Sequence, residues 1–147
     1  MRTLIRAFEF EFQRLHRESV EFLKTNPFER LFAEKRSKSN ESPGMLLVRS
    51  AAKVEQCFGG LSSRLWDDPF EWTLPEAFAE KSIVLEYLGE VEKARKNGFL
   101  LLRSDSDLEK EIAAPGGMKT IADVICEALE DARAYLARAG EGVKTPD

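Results

Sequence analysis

Four stretches of this 147-residue chain repeat apolar residues every three or four positions. This spacing places the apolar side chains on one face of an α-helix. A helix of this kind must bury its apolar face against other elements. Four such helices predict an antiparallel four-helix bundle of the all-α class. The stripe nearest the C-terminus consists of Ile121, Ile125, Ala128, Leu129, Ala132, Leu136 and Ala139.

Local signals predict where the first three helices begin and end. The first helix runs from about Thr3 to Lys24, because Pro27 disfavours helical geometry at the residue before it. Within it, the sequence FEFEF at 8–12 alternates as a strand does. The helical spacing of the wider stretch overrules this pattern and leaves Phe10 outside the apolar face. The second helix is predicted to begin near Pro43 or Met45, and the third near Lys81 or Ser82.

The last helix carries signals at both of its ends. Thr120 followed by Asp123 resembles a capping box, so the fourth helix is predicted to begin there. Gly140 is predicted to cap its C-terminus. Residues 1–140 then form one helical domain, and 141–147 a flexible tail.

Three connections separate the predicted helices. Residues 33–44 are rich in Ser, Lys and Glu, which predicts a mobile polar connection. Residues 66–78 contain two Trp, two Pro and two Phe, and this predicts a loop folded back onto the helices. The alternative is that these aromatic residues line a pocket for an apolar ligand or a partner. Residues 103–117 are predicted to form a loop with one helical turn.

Composition argues against several classes of partner. The chain has 22 basic and 26 acidic residues, a net charge of −4, and the two signs are interleaved. This balance argues against nucleic-acid binding. No stretch reaches the roughly 20 apolar residues that a membrane helix needs. Cys57 and Cys126 are far apart in the sequence, which predicts reduced packing thiols in a cytoplasmic protein.

Three stretches of the chain share a pattern with a known family. Residues 42–58, SPGMLLVRSAAKVEQCF, follow a start of small residues with a Leu-Leu pair. Residues 104–120 lead into the last helix, and 120–140, TIADVICEALEDARAYLARAG, form it. These stretches resemble the second helix, the last connection and the final helix of the DinB/YfiT-like superfamily of four-helix bundles.

The resemblance implies a divalent metal held by one histidine of the second helix and two of the last. By position, these ligands fall on Arg49, Asp131 and Tyr135, with Glu127 one turn earlier. None of the four is His, and Arg has no lone pair to donate to a metal. We therefore predict a relic site without metal or other cofactor. The register of the last helix stays open by a residue or more, because Ala137 stands where the family has Gly.

Two roles are open for Arg49. It lies nearly opposite the apolar stripe that begins at Leu47, which favours a solvated side chain. Alternatively, Arg49 takes the place of the metal and pairs with Asp131 or Glu127 through a two-pronged hydrogen bond.

Three functions are compatible with these observations. The missing histidines favour a module that binds a small ligand or self-associates without turnover. The resemblance makes a homodimer plausible, and Phe10 is a candidate contact. The alternative is a metal-dependent transferase acting on a low-molecular-weight thiol, with an atypical site drawn from Asp131, Glu127, Tyr135 and His16. Otherwise His16, the only histidine, is expected to be a partly exposed edge residue. An unrelated helical adaptor is the third possibility.

Overall fold

The computed structural model describes residues 1–32, 41–63, 65–67 and 78–144. This part of the chain is mostly helical, as predicted, and has one small sheet. None of its helices combines the length and apolar character needed to cross a membrane. The α-helices are α1 (Thr3–Thr25), α2 (Phe28–Phe32), α3 (Pro43–Ser63), α4 (Lys81–Leu100) and α5 (Ile121–Lys144). A 3-10 helix (Asp105–Glu109) and two strands, β1 (Glu111–Ala114) and β2 (Gly117–Thr120), precede α5.

Several predicted boundaries are confirmed. The first helix ends at Thr25, and Asn26 before the proline has an extended conformation with ψ of 138°. The second and third predicted helices, here α3 and α4, begin at Pro43 and Lys81. The hydroxyl of Thr120 accepts a hydrogen bond of 3.1 Å from the backbone N–H of Asp123. This bond satisfies one of the free N–H groups in the first turn of α5.

The predicted end of the last helix is wrong. Helix α5 does not stop at Gly140 but continues to Lys144, so 141–144 are helical rather than part of a tail. The backbone oxygen of Val143 accepts a 2.9 Å hydrogen bond from Nε of Arg30, which ties the extra turn to α2. Residues 145–147 and 33–40, the remainder of the predicted tail and most of the predicted mobile connection, lie outside the described residues.

The connection before α5 contains a hairpin, which the sequence analysis missed. Strands β1 and β2 pair antiparallel, and Ala114 lies opposite Gly117. Pro115 and Gly116 form the two-residue turn, and Gly116 has φ of 90°, which glycine adopts without strain. The burial of β1 alternates, with Ile112 buried and Ala114 half-buried, but four residues are too few for this alternation to stand out in the sequence.

The 3-10 helix caps the first helix. No side chain next to the start of α1 accepts its free N–H groups. Instead the carboxylate of Asp105 accepts hydrogen bonds of 3.0 and 3.1 Å from the N–H groups of Leu4 and Ile5. The bond from Leu4 is the main cause that lowers the pKa of Asp105. A residue 100 positions away therefore supplies the N-terminal cap of α1.

Three aromatic rings join α1, α3 and α4 in the core. Phe12 packs edge-on against Phe58 with 5.3 Å between ring centroids, and lies 5.9 Å from Phe99. Phe58 and Phe99 are 5.1 Å apart. All three side chains are at most 2% exposed, so they form one shared core rather than three separate contacts.

Helices α3 and α5 run antiparallel. The hydroxyl of Ser50 donates a 2.7 Å hydrogen bond to the backbone oxygen of Ala132. Two turns further along α3, the sulfur of Cys57 lies 4.0 Å from the backbone oxygen of Val124. Residue numbers therefore rise along α3 as they fall along the facing stretch of α5.

Helices α3 and α4 run parallel, in contrast to a simple antiparallel bundle. The hydroxyl of Tyr87 hydrogen-bonds to the carboxylate of Glu55 at 2.7 Å, and the ring of Phe99 packs on Phe58 further along both helices. Residue numbers thus rise together on the two helices. Helix α3 ends and α4 begins at opposite ends of the core.

Candidate functional site

A cleft of about 260 Å³ opens between α3 and α5 beside the hairpin. Its walls come from both helices, from the hairpin turn and from Trp66. It combines apolar and charged side chains, as small-molecule sites do. The lining residues are Lys53, Gln56, Cys57, Trp66, Ala114, Pro115, Lys119, Val124, Glu127, Ala128 and Asp131.

Helical periodicity brings the α5 residues of the cleft together. Val124 and Ala128 are four residues apart, as are Glu127 and Asp131, and the two pairs are offset by three, so all four residues share one face of the helix. Val124 and Ala128 point toward the core and are at most 8% exposed, whereas Glu127 and Asp131 are exposed. The same face therefore provides an apolar floor and a charged rim.

Trp66 forms one wall of the cleft and rests on α3. The side-chain amide of Gln56 donates a 2.8 Å hydrogen bond to the backbone oxygen of Trp66. Its indole ring occupies the space where a Cβ atom on Gly60 would lie. The missing side chain at Gly60 therefore allows the indole ring to approach the helix backbone closely.

The predicted return of the aromatic connection is confirmed where it is described. Trp66 is half-buried against α3. Phe78 is 7% exposed, with its ring 5.7 Å from that of Tyr87. Phe70 and Trp72 lie outside the described residues. Trp66 also lines the cleft, so the pocket alternative applies to this one residue.

The cleft has two basic and two acidic side chains. Nζ of Lys119 lies 2.8 Å from Oε2 of Glu127 in an ion pair between the hairpin and α5. Within the described part of the chain, Lys53 and Asp131 form no ion pair and no hydrogen bond. One opposite-charge pair is therefore already satisfied by the protein, and two charges face the cleft without a partner.

The thiol at the floor of the cleft is inert near neutral pH. Cys57 is 3% exposed, and burial raises the pKa of its thiol to about 12. Burial, followed by the nearby carboxylate of Glu130, also raises the pKa of Cys126. Both cysteines are free. Cys57 is buried as the predicted packing thiol, Cys126 is only half-buried, and neither has the lowered pKa of a reactive cysteine.

The four candidate relic residues divide into two groups. Glu127 and Asp131 line the cleft. Arg49 and Tyr135 meet beside it, across the same pair of helices, with the guanidinium carbon 5.4 Å from the ring centroid. Within the described residues, no three or more His, Cys, Asp or Glu side chains form a group able to hold a metal ion.

The observed ion pair of Arg49 differs from the predicted one. Its Nη2 lies 2.8 Å from Oε1 of Glu41, a residue just before α3, whereas the predicted partner was Asp131 or Glu127. Burial tends to lower the pKa of Arg49, but the contacts with Tyr135 and Glu41 outweigh this and raise it. The side chain is 27% exposed, so it is not simply solvated either. It connects α3 to α5 through a cation–π contact.

A buried charge on α4 was not identified from the sequence. Arg95 of α4 is 0% exposed, and its Nη2 lies 2.8 Å from Oε2 of Glu92. Within the described part of the chain, Nη1 has no hydrogen-bond partner. The available signal was its spacing, because Arg95 falls four residues after the buried Val91 and four before the buried Phe99.

His16 lies close to this buried charge. It lines a cavity of about 20 Å³ together with Ser19, Ser50 and Glu92, a volume that suits a single water molecule. Its half-buried position agrees with the predicted edge residue. Burial is the main cause that lowers the pKa of His16, so the imidazole is neutral at physiological pH.

Comparison with known proteins adds no relative. No protein-family model, no curated protein and no solved structure matches this chain. The DinB/YfiT-like resemblance therefore depends on the three sequence stretches and stays a prediction.

Proposed function

We propose that this protein is a DinB-like four-helix bundle that binds a small molecule in the cleft between α3 and α5. The observation that carries the proposal is a pair of charges above an apolar floor, Lys53 and Asp131, which have no partner among the residues that the structure describes. Polar groups without protein partners are suited to fix the orientation of a ligand, while the floor supplies apolar contact.

The size of the cleft limits the ligand. Drug-sized ligands occupy pockets of about 300–1,000 Å³. The cleft holds about 260 Å³, so it suits a smaller metabolite. Trp66 and the hairpin turn line the cleft together with Lys53 and Asp131.

The cleft includes two of the four positions that the resemblance gives to the relic site, Glu127 and Asp131, while Arg49 and Tyr135 lie beside it. We propose that the ligand contacts two of the relic residues, Glu127 and Asp131, directly. Arg49 and Tyr135 would act beside the cleft by holding α3 against α5. In this view the guanidinium group of Arg49 joins the two helices, as the metal ion would in the family.

A thermal-melt screen of a metabolite library tests the proposal. A ligand at about 100 times its Kd adds about 2.7 kcal/mol, which raises the Tm of a domain of this size by several degrees. Ala114→Phe would fill the cleft from its rim and should abolish the shift. Ala137→Phe, at an exposed position of α5 outside the cleft, should leave it intact. The proposal fails if no compound raises the Tm, or if Ala114→Phe leaves every shift unchanged.

The same screen tests the transferase alternative. Zinc, nickel and manganese are included, and each melt is repeated with a chelator. An upward shift with one metal that is lost in Asp131→Ala would favour a metal-dependent enzyme centred on α5. Shifts with organic ligands alone would favour the binding module.

Self-association is a separate part of the proposal. Phe10 is 54% exposed on α1 and is the proposed contact of a homodimer. Sedimentation velocity should give a dimer that Phe10→Glu converts to a monomer, whereas Arg6→Glu, at an exposed position one turn earlier, should not. A monomer at all concentrations would contradict the proposed homodimer without affecting the proposal that the cleft binds a ligand.

A further inference from the structure

The charges of the cleft restrict the chemistry of its ligand. Lys119 and Glu127 neutralise each other at 2.8 Å. Lys53 and Asp131 have no such partner within the described residues. The lining contributes two positive and two negative charges, so its formal net charge is zero. A simple anion or cation would satisfy one of the two free charges and leave the other without a counterpart.

The register of the two helices places the free charges near each other. Ser50 contacts Ala132, and Cys57 contacts Val124, so Lys53 faces α5 between residues 128 and 129. Asp131 then lies roughly 4 Å further along the axis, at 1.5 Å per residue. Opposite charges on facing helices thus border the same opening without bonding to each other.

We infer that the ligand is a small zwitterion, namely a free amino acid with an apolar side chain. Its ammonium group binds Asp131, and its carboxylate binds Lys53. The inference rests on the proposed function, because it concerns the same cleft. The apolar side chain of the ligand lies on Val124 and Ala128, next to the ring of Trp66.

Other charge classes fit this lining less well. A phosphate group would meet the carboxylates of Glu127 and Asp131, and a polyamine would meet the ammonium groups of Lys53 and Lys119. Like charges brought together in this way weaken binding. Only a ligand with both signs matches both free groups at once.

Matched ligands test the inference. Leucine is compared with isoamylamine, which lacks the carboxylate, and with 4-methylpentanoate, which lacks the ammonium group. Phenylalanine is compared with phenethylamine and 3-phenylpropanoate. Binding is followed by NMR through the side-chain amide of Gln56 and the indole N–H of Trp66, assigned in a Trp72→Phe background. We expect at least one amino acid to bind about tenfold more tightly than both of its analogues, since each analogue loses one charged hydrogen bond.

Single substitutions assign each charge to its partner. In Asp131→Asn, the amino acid should lose its advantage over the acid but keep its advantage over the amine. In Lys53→Gln, the reverse should hold. Glu130→Gln and Lys93→Gln are the controls, because both residues are exposed and lie outside the cleft. These controls should change neither ratio.

The outcomes separate this inference from the proposed function. Equal binding of an amino acid and its analogues, or no binding by either amino acid, overturns the zwitterion assignment. So does a uniform loss for all three ligands in Asp131→Asn. If the library screen still finds ligands that Ala114→Phe excludes, the cleft is a binding site for another chemistry. If that screen finds none, the proposed function fails as well.

Discussion

Arg95 and Glu92 form an ion pair of 2.8 Å in which the arginine side chain is completely buried. Glu92 is 12% exposed, so water screens the pair little. Breaking a buried pair by removing one partner strands a charge in the core. Removing one partner should therefore lower the free energy of unfolding by more than the intact pair contributes to it.

Removal of the carboxylate alone should be strongly destabilising. We expect Glu92→Gln to lower the free energy of unfolding by about 3–5 kcal/mol, because Arg95 would keep its charge without a counterion. The double variant Glu92→Gln/Arg95→Met should recover most of this loss, since no buried charge remains. Urea unfolding measures both, and Glu90→Gln at an exposed position of α4 is the control. A double variant no more stable than Glu92→Gln would contradict this account.

The lowered pKa of His16 makes stability depend on pH. The unfolded chain titrates this group near its ordinary value of 6.5, and the folded protein titrates it at a lower pH. Between these values the unfolded state binds more protons, so stability falls as the pH drops below about 6.5. The carboxylate of Glu92 raises the pKa of His16, whereas the positive charges of Arg95 and Lys96 lower it.

His16→Gln should remove this dependence, because the amide does not titrate. Urea midpoints of the wild type and the variant are compared from pH 8 to 5. The difference between them should change in the window just below 6.5 and be constant above it. Since His16 is the only histidine, no other histidine contributes to this window. A constant difference across the whole range would show that burial does not shift its pKa.

Two neighbouring glycines of α3 should respond oppositely to alanine. A Cβ on Gly60 would overlap the indole of Trp66, whereas the nearest atom to a Cβ on Gly59 is the backbone oxygen of Leu65 at 3.8 Å. Gly59→Ala should therefore stabilise the helix by up to about 1 kcal/mol. Gly60→Ala should displace Trp66 and shift its fluorescence to the red in a Trp72→Phe background. Identical spectra and melting temperatures for the two variants would rule out the observed packing of Trp66.

The contact between Arg49 and Tyr135 should appear as a coupling energy. A double-mutant cycle of Arg49→Gln with Tyr135→Leu should give about 0.5–1 kcal/mol, the range of a partly exposed cation–π contact. The cycle of Arg49→Gln with Asp131→Asn should be additive within about 0.5 kcal/mol. A larger coupling with Asp131 would restore the pairing predicted from sequence. Arg138, whose guanidinium carbon lies 5.5 Å from the centroid of the same Tyr135 ring, is the internal comparison.

The helices themselves were predictable from local information. The proline after Asn26 and the hydroxyl of Thr120 act within a few residues, so the sequence carries their effect directly. The apolar periodicity of α5 likewise identified its buried face. The prediction that α5 ends at Gly140 was wrong, because tertiary contacts can stabilise a helix beyond a glycine. Here Arg30 donates a hydrogen bond to the backbone oxygen of Val143 in the turn that follows.

The site was predictable only in part. Glu127 and Asp131 were selected through a family pattern, and they do line the cleft. The contributions of Lys53, Gln56 and Lys119 were missed, since each comes from a different turn or strand and no spacing connects them to α5. The partner of Arg49 was also wrong, because Glu41 is brought near it by the start of α3.

By itself, the sequence determined a chain of mostly helical structure, the faces its long helices bury and the starts of all four of them. Only the tertiary structure decided that α3 and α4 run parallel, that Asp105 caps α1, and that Arg95 is buried with Glu92. The physical reason is the separation along the chain of the residues that determine each feature. Helix formation depends on neighbours three or four positions apart, whereas helix direction, a cap supplied from 100 residues away and the burial of a charged side chain depend on which helices meet and in which register.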